Sequence, residues 1–377
     1  MSDLWILAGQ SNMEGCGDLT ENAEPHPAVR CFAHGDVWKT AEEPLHWLSE
    51  ANDPVHWGGR SAAEVEQWRA EARAGRAKGA GCGLTFGRVI HEKAGVEVDL
   101  LPVAHGGTSM QQWSPQLKGE GGNSLYGAML RRTQLALETS PASLLRGVLW
   151  YQGESDANPA DAAVYTQRMH ALIRSWREDL NAPELPFYIV QLGLHCVDTW
   201  DAPGEQEAWT AVREAERLLP EQLGNVACVP AIDLELDDGI HIGARGVKRL
   251  GQRLANVALG SVYGQSAPRP IRLAGARWEG PQTIRVRFEG VTGGLRSPDP
   301  AGRVPGFSLH DGERNHDAAF FKAQIDPADP DCVLLWTDRP RDPKLKLVYG
   351  WGRFVYCQLT DAADMAAPAF GPIAIGG

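Results

Sequence analysis

Leu4-Trp5-Ile6-Leu7-Ala8, running without a break into Gly9-Gln10-Ser11-Asn12-Met13-Glu14-Gly15, is the stretch on which the fold reading turns. Five consecutive apolar residues read as a short buried strand. The small-residue turn that follows is where α/β proteins place reactive groups. The same alternation continues outward. Leu84–Ala94 reads as an amphipathic helix, Val96–Ala104 as a strand and Tyr126–Glu138 as a helix. Leu144–Tyr151 is a strand ending at Gln152-Gly153-Glu154, and Ala160–Leu180 a long helix with Val164, Met169, Leu172, Ile173 and Trp176 at helical spacing. Pro186–Leu192 and Asn225–Ile232 read as strands, Gln206–Leu219 and Ala244–Leu259 as helices. Alternating strands and helices predict an α/β fold: a three-layer α/β/α sandwich with a central parallel sheet.

Two regions depart from this rhythm. Residues 34–82 hold several Trp, His and Gly residues and a charged helical piece at Ser61–Arg73, and are taken as an insertion over the active-site face. After Ser266-Ala267-Pro268-Arg269-Pro270 the chain shows short alternating runs at Thr283–Phe288, Phe307–Leu309, Val333–Trp336 and Leu345–Tyr349. These predict a first domain over 1–265 and a small all-β, sandwich-like domain over 266–377.

The chain has 377 residues, is 43% hydrophobic and carries a formal net charge of −12. Such a balance argues for a packed globular protein and against nucleic-acid or anionic-membrane partners, which call for a basic patch. No stretch approaches the ~20 apolar residues of a membrane helix. The N-terminus shows no signal peptide, so the expectation is a cytoplasmic protein, or a secreted or periplasmic one if a leader was trimmed. The seven cysteines are dispersed and form no CxxC pair, which argues against a disulfide framework or zinc knuckle. No HExxH or ligand cluster is present, and neither metal nor cofactor is expected.

Four short segments carry candidate chemistry. Ser11, at the mouth of a strand-to-helix turn, exposes its hydroxyl and its N–H; a serine in such a turn is otherwise a helix cap. Asp238-Gly239-Ile240-His241 places a carboxylate three residues before an imidazole, so one loop supplies the orienter and base of a triad. Asp237 is a competitor with less suitable spacing. Gly106-Gly107, after the second long strand, lets the backbone expose an N–H as an oxyanion donor. Gln152, in Trp150-Tyr151-Gln152-Gly153-Glu154-Ser155-Asp156, offers a further donor, and Glu154 a carboxylate that could approach the histidine. Trp113 is a candidate wall for a sugar ring, with core packing the equal alternative. All four segments follow strands of one sheet or precede its last helix, the edge where open α/β folds build their sites.

Together these segments resemble the SGNH hydrolase superfamily, a flavodoxin-like fold, and more narrowly the sialate O-acetylesterase-like group with its related acetyl xylan esterases. Gly9-Gln10-Ser11-Asn12-Met13 is similar to the nucleophile block, Gly106-Gly107-Thr108 with Trp113 to the second, Trp150–Asp156 to the third and Asp238–His241 to the last. The resemblance implies Ser11 as nucleophile, His241 as base and Asp238 as acid, with Glu154 the alternative acid. It implies an oxyanion hole from Ser11, Gly107 and Gln152, and Gln10, Asn12, Gly106 and Trp113 lining the substrate. Lys346–Gly352 and Ala367–Phe370 resemble the end of the β portion of sialate O-acetylesterases, but Arg353-Phe354-Val355-Tyr356-Cys357-Gln358 replaces an asparagine-rich stretch and weighs against sialic acid itself. The implied activity is a serine-dependent carbohydrate O-acetylesterase acting on an acetylated sugar or oligosaccharide. The alternatives are an acetyl xylan esterase or other short-chain ester hydrolase or acyltransferase, and, more remotely, a non-catalytic carbohydrate-binding protein. A homo-oligomer is left open.

Overall fold

A computed structural model describes residues 1–73, 76–196 and 203–377, so residues 74–75 of the expected insertion lie outside the described residues. Strand β1 (Ser2–Gly9) is buried at all eight positions. A run buried on both faces belongs at the centre of a parallel sheet covered by helices. It pairs in parallel with β4 (Glu97–Pro102) on one side and β5 (Ser143–Tyr151) on the other. Beyond β5 lie β6 (Phe187–Gln191) and β7 (Val226–Pro230), also parallel. Beyond β4 lie β2 (Val29–Phe32), parallel, and β3 (Trp38–Thr40), antiparallel at the edge. The sheet order is β3-β2-β4-β1-β5-β6-β7.

Leaving out the β2–β3 hairpin, the remaining strands follow the flavodoxin-like order 2-1-3-4-5, as expected. Its topological switch point lies between β1 and β5. The loops leaving these two strands therefore diverge and open a crevice, and they carry Ser11 and Gln152.

The helices are α1 (Ser11–Glu14), α2 (Ala62–Arg73), α3 (Gly83–Ala94), α4 (Leu125–Thr139), α5 (Pro159–Ala162), α6 (Tyr165–Asp179), α7 (Glu205–Gln222) and α8 (Ala244–Ser261), among the described residues. α3 packs against α8, while α4 packs on β4 and β5, and α6 packs against α7, which lies on β6 and β7. Two expectations are corrected here. The helix expected over 160–180 is two, because Asn158 caps a separate turn by accepting from the N–H groups of Ala160 (3.2 Å) and Asp161 (3.1 Å). Nor does the 34–82 segment lie wholly over the site, since Trp38–Thr40 is the sheet edge.

After Ser266 the chain builds two four-stranded antiparallel sheets. One runs β8 (Arg272–Trp278), β9 (Thr283–Glu289), β13 (Cys332–Trp336), β12 (Lys322–Ile325). The other runs β11 (Asn315–His316), β10 (Phe307–His310), β14 (Lys346–Tyr349), β15 (Phe370–Ala374). In β9, Ile284, Val286 and Phe288 are buried and alternate with Arg285 and Arg287, the period-2 pattern of a half-buried strand. Phe288 of the first sheet meets Phe370 of the second at 6.4 Å between ring centroids.

These sheets are tied to the parallel sheet by buried polar contacts. The Gln191 amide exchanges two 2.9 Å hydrogen bonds with the backbone of Ala369. Arg213, 1% exposed, donates to the carbonyls of Leu192 (3.0 Å), Gly193, Gly350 (3.1 Å) and Gly352 (2.5 Å). Removing a buried donor leaves those carbonyls unsatisfied. Arg213→Ala is accordingly expected to destabilise by at least about 3 kcal/mol, measured by urea unfolding; a loss below about 1 kcal/mol would show that water replaces the guanidinium.

Candidate active site

The site is built where β1 ends. Gly9 has φ +131°, and a Cβ there would lie 2.0 Å from the Tyr151 carbonyl oxygen, so only glycine lets β1 turn so close to β5. Gln10 N–H donates to that same carbonyl at 2.8 Å, and Ser11 opens the short helix α1. The loop from 236 to 242 closes on itself by a Leu236–Ile242 bridge and an Asp237 N–H bond to the His241 carbonyl at 2.8 Å. Within that loop the Asp238 carboxylate faces the His241 ring, with Oδ2 2.8 Å from Nδ1. His241 Nε2 lies 2.9 Å from Ser11 Oγ. Ser11, His241 and Asp238 thus form one hydrogen-bonded file, open to solvent at the Asp238 end.

Desolvation pushes the Asp238 pKa up, but the N–H groups of Ile240 and His241, each 2.9 Å from Oδ1, and the imidazole outweigh it and hold the carboxyl down at about 2. Lys78, from the end of the 34–82 segment, adds a more distant cation at 3.9 Å.

Glu154 is placed differently. Its Oε1 accepts from Asn12 Nδ2 at 2.8 Å, and its Oε2 is buried without a hydrogen-bond partner among the described residues. Burial raises its pKa, opposed by the Asn12 hydrogen bond. The structure brings Asp238, and not Glu154, to the imidazole.

Gln152 requires a correction as an oxyanion donor. It is fully buried, and its amide nitrogen is directed to Asp156 Oδ2 (2.6 Å) and the Thr108 carbonyl (3.0 Å). With both amide hydrogens engaged, it orders the loop after β4 instead of facing the serine. Gln10 and Asn12, each 3% exposed, likewise support the turn and do not line an open surface. Asn12 holds the 236–242 loop, donating to the Ile240 carbonyl (3.2 Å) and accepting from Ile242 N–H (3.0 Å). Trp113 is a core residue, not a sugar wall: it is fully buried, packs edge-on against Trp150 at 5.4 Å and donates to Thr108 Oγ1 at 3.1 Å.

Gly106 stays beside the serine. A Cβ at Gly106 would meet Ser11 Cβ at 3.4 Å, and its N–H is held by Glu14 Oε2 at 2.9 Å. Gly107 follows with φ +69°, and its N–H and that of Ser11 make no hydrogen bond among the described residues. Glu14 was not singled out from the sequence, although its place in the first turn after Ser11 was a usable signal. Nor was His56, whose Nδ1 lies 3.0 Å from that of His105 just ahead of Gly106; burial depresses the pKa of both rings. No local pattern announces that pair, because the 34–82 segment brings it together. A serine hydroxyl bonded to an imidazole that a carboxylate orients, beside two unengaged N–H groups, is chemically equipped for acyl transfer.

Comparison with known proteins agrees with this class of chemistry. Residues 1–260 match the profile of the carbohydrate esterase, sialic acid-specific acetylesterase family, and the chain belongs to that family. It is a carboxylic ester hydrolase by that membership. A probable carbohydrate esterase of Arabidopsis thaliana is 30% identical over 270 residues, 68% of this chain and 90% of the relative. Human sialate O-acetylesterase is 27% identical over 215 residues, 50% of this chain and 39% of the relative. In fold, the chain is similar to a carbohydrate acetylesterase of Xanthomonas citri, with a TM-score of 0.71 over 98% of this chain and 80% of that one at 22% identity.

The Asp238 shift sets a test of its environment. A carboxyl whose folded pKa lies below its unfolded value of about 4 contributes stability above that value and loses it as the pH falls through the folded pKa. The Tm gap between wild type and Asp238→Asn should be present at pH 7 and close between about pH 4 and pH 2. A gap that does not change with pH in thermal melts would mean the carboxylate is not held by these bonds.

Proposed function

We propose that this carbohydrate esterase is a serine-dependent O-acetylesterase that hydrolyses acetyl esters on sugars through an acetyl-Ser11 intermediate. The observation that carries the reading is the file Asp238–His241–Ser11, with contacts of 2.8 and 2.9 Å. In the proposed reaction His241 takes the Ser11 proton as Oγ attacks the acetyl carbonyl carbon. The N–H groups of Ser11 and Gly107 receive the oxyanion, where preorganised donors strengthen their hydrogen bonds as charge develops. Collapse breaks the ester C–O bond, and the sugar alkoxide leaves with the proton from His241. Water, deprotonated by the same imidazole, then attacks acetyl-Ser11 and releases acetate.

Asp238 is the acid partner in this reading. It keeps the proton of neutral His241 on Nδ1 and stabilises the imidazolium. The substrate is an acetylated sugar, in keeping with a family of carbohydrate esterases. The replacement of the asparagine-rich stretch at Arg353–Gln358 favours a saccharide other than sialic acid.

Ser11→Ala is expected to lower kcat/KM for 4-nitrophenyl acetate by at least about 10⁴-fold, with the fold intact by circular dichroism. Asp238→Asn should lower it roughly 10²–10⁴-fold and Glu154→Gln less than about tenfold. Retained turnover in Ser11→Ala would sink the serine mechanism, and a larger fall for Glu154→Gln than for Asp238→Asn would reassign the acid.

A further inference from the structure

The segment that departs from sialate O-acetylesterases, Arg353–Gln358, is linked through residues 195–196 to the loop of Asp238 and His241. Gly352 N–H donates to Thr210 Oγ1 at 2.8 Å and Arg353 N–H to Gln206 Oε1 at 2.7 Å. The Arg353 guanidinium pairs with Glu205 at 2.9 Å, and Cys357 is buried at the other end. Between these anchors only Phe354-Val355-Tyr356 bulges outward. The Arg353 carbonyl accepts from His195 N–H at 2.9 Å, and the next amide, that of Cys196, donates to the Gly239 carbonyl at 2.6 Å. Gly239 lies between Asp238 and His241. Two consecutive amides therefore connect the loop of the C-terminal sheets to the loop that carries the base.

Phe354 is 46% exposed and Tyr356 62% exposed, and their rings meet at 5.4 Å and 69°. They form an apolar surface on a backbone anchored at Arg353 and Cys357, with a phenol hydroxyl on one ring. Rings with few rotatable bonds bind at low entropic cost. The C–H face of a pyranose packs on such a surface while its hydroxyls stay wet. With a formal net charge of −12, the chain suits a neutral saccharide better than an anionic one.

We propose that Phe354 and Tyr356 form a platform for a sugar ring beyond the one that carries the acetyl group, so that the substrate is an acetylated oligosaccharide and not a monosaccharide. This rests on the esterase reading above. The C-terminal sheets then contribute to substrate selection directly. Neither ring takes part in the chemical step; both are specificity residues acting through binding.

The test compares wild type with the double variant Phe354→Ala/Tyr356→Ala on 4-nitrophenyl acetate, acetylated monosaccharides and acetylated xylo- and manno-oligosaccharides. Wild type should show higher kcat/KM on oligosaccharides than on the monosaccharides. In the double variant KM for the oligosaccharide should rise roughly tenfold relative to KM for 4-nitrophenyl acetate, with kcat retained. Tyr356→Phe, which keeps the ring, should retain most of the wild-type KM. The platform is overturned if the ratio of the two KM values does not move, if both substrates lose kcat alike, or if wild type cleaves oligosaccharides no better than monosaccharides or not at all. A wild type inert towards 4-nitrophenyl acetate as well would instead bring down the esterase reading beneath it.

Discussion

The arrangement at the site depends on the side-chain amide of Asn12. Its Nδ2 donates to Glu154 Oε1 and to the Ile240 carbonyl, and its Oδ1 accepts from Ile242 N–H, so one buried group joins three loops. Asn12 and Ile242 are 230 residues apart, and the hydrogen bond between them sets where the 236–242 loop sits relative to α1. A hydrogen bond of 2.9 Å between His241 and Ser11 tolerates little displacement, so this amide fixes the geometry of that pair. Asparagine suits the position because it alone of the small side chains supplies both donors and an acceptor at one reach.

The same logic explains the buried acids. Glu154 and Glu216 sit below the site with pKa values raised first of all by burial. Each is met by donors: Asn12 for Glu154, and the N–H of Leu192 at 2.9 Å for Glu216. Asp156 accepts from Met110 N–H and from Gln152, which turns the Gln152 amide towards the loop after β4. Tyr165 caps the Gln152 carbonyl at 2.7 Å. A connected network of this kind holds the loop after β4, which carries Gly106 and Gly107, beside α1.

The strands with continuous apolar runs, β1, β4, β5, β6 and β7, fall within a few residues of their expected spans, and β9, β10, β13 and β14 match the short alternating runs read after Ser266. β2 and β3 were not read, because Arg30 interrupts the one and the other holds a single apolar residue, Trp38, so neither shows a hydrophobic run. Ser11 and the Asp238–His241 loop were legible because the bonds that define the loop lie within it. The positions of Gln152, Trp113 and Glu154 were not, since each is decided by partners far along the chain: Thr108 for the first, Trp150 and Trp176 for the second, Asn12 for the third. A motif shows which residues meet near a site, but it does not show which of two carboxylates faces the ring.

Charge and packing divide the labour around the triad. Ser11 follows directly on β1, and His241 sits in the 236–242 loop beyond β7, which the Leu236–Ile242 bridge and Asn12 hold in place. The surroundings come from elsewhere. Arg76 lies 3.8 Å from Glu14, which itself holds Gly106 N–H, and Lys78 lies 3.9 Å from Asp238. From the opposite end of the chain, the 350–353 backbone is drawn against α7 by Arg213, whose guanidinium donates to main-chain carbonyl oxygens. Bonding of this kind fixes backbone positions more closely than a flexible ion pair does, because each acceptor belongs to the main chain. The loop of the C-terminal sheets is thereby held against residues 193–196, whose next contact is Gly239. A displacement of those sheets would therefore reach the Asp238–His241 loop through main-chain hydrogen bonds.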